Sequence, residues 1–129
     1  MPPQSDASTT VAELQALVRD FTDRRDWAQF HHPKDLGVAL AAEVGELLEH
    51  FRFLTNEQIR ERLSDESARR ELAHEAADCL WLLLRLAEVV GFDLSSSLRE
   101  KLALAERKYP AARARGAPHK YTAYESEGE

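Results

Sequence analysis

Two short stretches carry acids in the same arrangement, Leu40-Ala41-Ala42-Glu43-Val44-Gly45-Glu46 and Leu72-Ala73-His74-Glu75-Ala76-Ala77-Asp78. Each reads Leu, two small or polar residues, Glu, two further residues, then a second acid. On a helix, acids three positions apart stand about 60° and about 4.5 Å apart, so each pair projects from one side. Both pairs lie beside an apolar stripe: Glu43 has Leu40 and Leu47 as neighbours, Glu75 has Leu72 and Cys79, and Asp78 has Leu82. Carboxylates next to a core face lose hydration, and four of them facing one another repel unless something positive lies between. Arg or Lys can serve. A hard divalent cation serves better, because Mg²⁺ favours carboxylate oxygens and keeps several waters. Either pair alone is common on a solvated helix; two pairs with the same phase point to a metal site. Glu49 falls on the far side of its helix and reads as a surface residue. A dinuclear iron centre competes as a metal reading, but bundles that hold one supply Glu-x-x-His twice. Here only Glu71 to His74 has that spacing.

Helices must position these acids. Ala, Leu, Glu and Arg dominate the chain, all good helix formers, and no sustained alternation of apolar and polar residues marks a strand. The periodicity predicts helices over about 11–26, 34–53, 65–90 and 94–109, with a short helix over about 56–63. Thr10 with Glu13 and Thr55 with Gln58 have the spacing of capping boxes. Gly91, Asp93 and Pro110 read as stop, cap and stop. The expected fold class is all-α: a four-helix bundle with a short extra helix and an irregular C-terminal tail. The expected boundaries are 1–9 for a flexible N-terminus, 10–110 for the helical domain and 111–129 for the tail.

The chain has 129 residues and a formal charge of −6, which fits one domain and argues against a general binder of nucleic acid polymers. Its longest nearly apolar run, Cys79 to Leu84, is too short to span a membrane. Met1-Pro2-Pro3-Gln4 shows no secretory signal, and the lone Cys79 fits a reducing, cytoplasmic compartment. That apolar run covers every side of its helix and so requires burial all round. A small bundle cannot provide this alone, which predicts a homodimer or homotetramer. The alternative places Trp81 under the tail or a loop.

With these residues in place, the chain resembles the all-α nucleoside triphosphate pyrophosphohydrolases, the MazG-like group, and within it the dCTP pyrophosphatase branch. The family signature, E-x-x-E on one helix and E-x-x-D on the next, stands here as Glu43-Val44-Gly45-Glu46 and Glu75-Ala76-Ala77-Asp78. The resemblance runs from about Leu14 to Thr122 and includes Arg25-Asp26-Trp27-Ala28-Gln29-Phe30-His31, Lys108-Tyr109-Pro110 and Lys120-Tyr121-Thr122. It implies a MazG-like bundle and a hydrolase that cuts a (deoxy)nucleoside triphosphate between its α and β phosphates, in nucleotide-pool sanitation. It implies Glu43, Glu46, Glu75 and Asp78 as ligands of Mg²⁺, with Mn²⁺ as a substitute. Glu46 is the candidate to orient or deprotonate the attacking water. Trp27, Ala28, Gln29, Phe30 and His31 match a substrate-binding stretch. Phe53 and Leu82 stand where the branch contacts the base, and Lys108 and Lys120 are candidates for the outer phosphates. Arg113 and Arg115 read as ordinary surface charge.

The base pocket departs from the dCTP branch. A histidine is replaced by Val18, a tryptophan by Phe53, a tyrosine by Leu82 and an asparagine by Ala105. Phe53 can still stack on a base, but the other three changes remove hydrogen-bonding groups. Such a pocket discriminates poorly between bases, which predicts a broader dNTP range or a more apolar base. The reading from another class is a non-catalytic helical interaction module that retains the fold.

Overall fold

The structure is a computed structural model that describes residues 4–116. The chain divides into two compact units, Met1–Phe92 and Asp93–Glu129. The first unit contains α1 (Val11–Asp23), a 3-10 turn (Ala28–Phe30), α2 (Pro33–Glu49), α3 (Asn56–Arg62) and α4 (Glu66–Val90). The second contains α5 (Leu94–Lys108) and a single turn, α6 (Ala111–Ala114), in a segment expected to be irregular. No strand occurs among the described residues, and the helices fall where the hydrophobic periodicity places them.

Side-chain caps set the helix starts. Thr10 accepts from the Glu13 amide at 3.1 Å, and Asp65 accepts from the Ala68 amide at 3.0 Å. Thr55 and Gln58 form the reciprocal capping box, with bonds of 3.1 and 2.8 Å. Pro33 opens α2, where its missing N–H costs nothing. Gly91 ends α4 in the left-handed region at φ 92°, a conformation that suits glycine. Two helices end earlier than their periodicity suggests, because the chain turns left-handed just beyond them. Asp26 takes φ 52° after α1 and Phe53 takes φ 64° after α2.

Within the first unit α4 packs along α2 and also against α1. The buried apolar side chains are few: Leu36 of α2 and Leu84 and Ala87 of α4. Buried Thr22 satisfies its hydroxyl by donating to the Val18 carbonyl at 2.8 Å. The apolar segment of α4 is not enclosed by this packing. Trp81 is half-buried and meets Phe21 of α1 edge-on, with ring centroids 5.0 Å apart, while Leu80 and Leu83 stay exposed. Trp81 thus rests on α1, while the tail named in the alternative extends outside the described residues. No helix of the described residues is long and apolar enough to cross a membrane.

In the second unit, the Asp93 side chain accepts from the Ser96 amide at 2.9 Å and caps α5. That bond favours the ionised form and holds the Asp93 carboxyl below the ordinary aspartate range.

Candidate active site

The long contact between α2 and α4 brings acids from the two motifs together. Glu43 of α2 and Glu75 and Asp78 of α4 each offer a carboxylate oxygen, and these oxygens all lie within 4.8 Å of one another. All three side chains are half-buried. The cluster has an electrostatic signature at Glu43, whose pKa is raised from the ordinary 4.5. Partial loss of water is the first cause; the negative charges of Asp78, Glu75 and Glu46 follow. Among the described residues this is the group of acids close enough to share an ion. Three hard oxygen donors are the donor set that Mg²⁺ or Mn²⁺ takes, and not one that a soft metal prefers.

Glu46 stands apart from that trio. One helical turn beyond Glu43, it is exposed and lines a cleft of about 210 Å³ with Glu49, His50, Arg62 and Glu75. Glu75 therefore borders both the cluster and the cleft. Glu49 remains exposed and pairs with Arg52 at 3.1 Å, yet it borders the same cleft. Arg62, at the end of α3, brings a cation to the rim.

The Trp27–His31 stretch forms the turn into α2. The Trp27 amide donates to the Thr22 carbonyl at 3.1 Å, and the exposed Trp27 ring sits edge-on to Phe21 with the Arg25 guanidinium 5.9 Å from its centre. Arg25 caps the Phe21 ring at 3.5 Å. Gln29 spends its amide locally, donating to the Asp26 carbonyl at 2.9 Å and carboxylate at 3.1 Å. Ala28 and Phe30 are exposed, and His31 is half-buried. Phe53 is 89% exposed at its left-handed φ, with the Arg52 guanidinium 4.6 Å from its ring centre. A bulky residue there costs of order 1–3 kcal/mol, a cost that concentrates at functional positions. Leu82 is half-buried one turn beyond Asp78. Lys108 closes α5 in the second unit, and Lys120 lies outside the described residues.

Sequence reasoning missed Arg85 of α4. It is 5% exposed, donates from Nε to His31 Nδ1 at 3.0 Å and from a terminal nitrogen to Glu88 at 2.9 Å. The available signal was a lone cation directly after the apolar run Cys79–Leu84.

The acid cluster has a measurable consequence. Because the folded-state pKa of Glu43 is raised, its contribution to the stability of the metal-free chain is present at low pH and lost as pH rises through that pKa. A cation takes the deprotonated form, so it acts in the opposite sense. Mg²⁺ at about 100 times its Kd is expected to stabilise the chain by roughly 2.7 kcal/mol near neutral pH. The gain in melting temperature should shrink as pH falls through the Glu43 pKa, which differential scanning fluorimetry across a pH series checks.

No protein-family profile matches the chain. Curated relatives do. Human dCTP pyrophosphatase 1 is 36% identical over 113 residues, covering 88% of this chain and 66% of that protein. The Bos taurus dCTP pyrophosphatase 1 is 35% identical, covering 88% and 67%. The chain thus spans about two thirds of the length of the curated relatives it matches. A crystal structure of a pyrophosphatase from Archaeoglobus fulgidus superposes with a TM-score of 0.73 at 33% identity, covering 85% of this chain and 98% of that one. With this helical architecture and both acid pairs present, the chain belongs to the MazG-like all-α nucleoside triphosphate pyrophosphohydrolases, on the dCTP pyrophosphatase branch.

Proposed function

We propose that this protein hydrolyses (deoxy)nucleoside triphosphates to the monophosphate and pyrophosphate in a Mg²⁺-dependent reaction. The observation that carries the reading is the meeting of Glu43, Glu75 and Asp78 across α2 and α4, with carboxylate oxygens within 4.8 Å of one another. A triphosphate is repelled by such a cluster, so substrate and acids are compatible only with a cation between them. Glu43, Glu75 and Asp78 would hold Mg²⁺, or Mn²⁺ in its place, with Glu46 as the fourth acid of the set. When bound, the cation neutralises phosphate charge and polarises the phosphoryl group. Glu46 is exposed and free to orient a water and accept its proton as the water oxygen bonds to phosphorus. The bridging P–O bond between α and β phosphates breaks, and pyrophosphate leaves with the bridging oxygen. Trp27 and Phe53 offer exposed aromatic rings to the base, His31 contacts the substrate, and Ala28, Gln29 and Phe30 shape the turn that carries it.

Base selection is loose. Phe53 offers a face but no hydrogen bond. Leu82 is an apolar side chain one turn from the acids. Val18 lines an apolar groove with Leu17, Phe21 and Trp81. A site that rejects wrong substrates by large factors does so through buried polar groups left unpaired; these positions carry none. Assay of pyrophosphate release from the common dNTPs is expected to give kcat/KM values within about tenfold of one another, in line with the weak discrimination of apolar pockets. A strong preference for dCTP alone overturns the loosened-pocket argument. Absence of any pyrophosphate release in Mg²⁺ would favour a non-catalytic interaction module.

The working form is a homo-oligomer. Support comes from the thin core among the described residues, where Leu36, Leu84 and Ala87 are the buried apolar side chains, while Leu17 is 60% exposed and Leu80 and Leu83 are also open. The substrate is a free nucleotide, not a nucleic acid polymer, and the setting is cytoplasmic nucleotide-pool sanitation.

A further inference from the structure

α4 places a guanidinium in the most enclosed part of the first unit. Arg85 is 5% exposed and lies between buried Leu84 and buried Ala87 in sequence. A leucine or methionine would fill such a position at no electrostatic cost, whereas a buried charge is expensive unless it is paired and hydrogen-bonded. Arg85 spends its donors on two partners. One terminal nitrogen donates to Glu88 Oε2 at 2.9 Å. Its Nε donates to His31 Nδ1 at 3.0 Å, across 54 positions of sequence. Glu88 Oε1 in turn accepts from Arg19 Nε of α1. The chain Arg19–Glu88–Arg85–His31 thus ties α1, α4 and the turn before α2 together.

The chemistry of the Arg85–His31 bond admits one protonation pattern. Guanidinium has no acceptor and stays charged, so the nitrogen facing it must carry a lone pair. Nδ1 of His31 is therefore unprotonated, and the proton of the neutral ring sits on Nε2. Burial, and secondarily the Arg85 charge, hold His31 below its ordinary pKa, in agreement with a neutral ring. The other ring nitrogen is left to donate.

We propose that Arg85 is a positioning residue that fixes His31 as the Nε2–H tautomer in one ring orientation, so that His31 presents a neutral hydrogen-bond donor to an oxygen of the bound nucleotide. This rests on the proposed contact between His31 and substrate. Glu88, steadied by Arg19, holds the far edge of the guanidinium and keeps Nε aimed at the ring. A donor to a nucleotide oxygen whose charge is the same before and during the reaction contributes equally to the ground state and the transition state, so its loss appears in KM and leaves kcat nearly unchanged.

Two measurements test the proposal. Long-range ¹H–¹⁵N correlation spectra of the wild-type chain are expected to show His31 with a protonated Nε2 and a pyridine-like Nδ1 at neutral pH. A protonated Nδ1 overturns the assignment, whatever the activity. In Mg²⁺, Arg85→Met is expected to raise KM for a dNTP about tenfold, the order of one hydrogen bond, with kcat within about twofold. His31→Ala should reproduce that change. Adding Arg85→Met to His31→Ala should change KM by less than about twofold, because residues that act through one another are not additive. An equal KM effect in both backgrounds overturns the positioning role and leaves Arg85 as a packing residue. Where Arg85→Met lowers the helical circular dichroism, Arg85→Lys keeps a charge and a donor and replaces it, with a smaller rise in KM expected and the same His31→Ala cycle applied. A wild-type chain that shows the Nε2–H tautomer but releases no pyrophosphate overturns the proposed reaction, while the hold of Arg85 on the ring stands.

Discussion

Exchanging Asp78 for asparagine is expected to lower Mg²⁺-dependent pyrophosphate release by about 10³-fold without loss of helical circular dichroism. The size follows from the task given to the cation. Charge neutralisation and Lewis-acid polarisation supply several kcal/mol of transition-state stabilisation, and about 1.4 kcal/mol is a factor of ten in rate. The fold should survive for the same reason that the site exists. Asp78 stands with Glu43 and Glu75, their carboxylate oxygens within 4.8 Å, and its charge helps to push the Glu43 pKa upward. Asparagine keeps the shape and removes one of the mutually repelling charges, so the melting temperature of the metal-free chain should rise or hold. Gains in stability on removing functional charge are the usual trade between stability and activity. The Mg²⁺-induced rise in melting temperature should be lost in the same variant. An Asp78→Asn chain that unfolds assigns the residue a structural role; one that keeps full activity with its fold intact removes the cluster from the chemistry.

That Glu43, Glu75 and Asp78 stand beside the packed faces of α2 and α4 was legible in the sequence, because it follows from helical phase. Glu43 and Asp78 each sit three or four positions from a leucine that faces the core, and helix pairing then carries their side chains toward one another. The helix starts were legible for a similar reason: Thr55 with Gln58, and Asp93, act within a single turn. What periodicity could not show was relation across distance. Glu46 has the same phase as Glu43, yet it opens onto a cleft whose rim includes Arg62 of α3. That meeting depends on how the chain returns after Phe53. Arg85 and His31 are 54 positions apart, and nothing in either local pattern names the other. The left-handed turns at Asp26 and Phe53 were also hidden, since neither residue is the glycine that usually announces such a turn. Both helices therefore end short of their periodic signal.

Replacing Leu80 by glutamate is expected to break the proposed homo-oligomer and to destabilise the chain by more than its own burial would suggest. Leu80 is 44% exposed, so within a lone chain its truncation would cost little. Its surroundings indicate otherwise. With Leu14, Leu17, Val18, Ala77, Trp81 and Leu84 it lines an apolar groove between α1 and α4 that is open to solvent. Side chains of this size stabilise by about 1.5–3 kcal/mol each when fully buried. Leaving Leu17, Leu80 and Leu83 in water forgoes most of that in a chain whose own core is small. A second copy laid over the groove recovers it, and the stability of the fold then becomes inseparable from subunit concentration. A glutamate at position 80 puts an unpaired carboxylate into that contact, which costs several kcal/mol when desolvated. Light scattering coupled to size exclusion should show the wild type above the 14.6 kDa of one chain and Leu80→Glu at or near it. The melting temperature of the variant should fall by roughly 10 °C, the equivalent of about 2–3 kcal/mol for a domain of this size. A wild-type chain that elutes as a monomer, or a Leu80→Glu chain that keeps its assembly, would mean that the groove is not the surface on which copies meet.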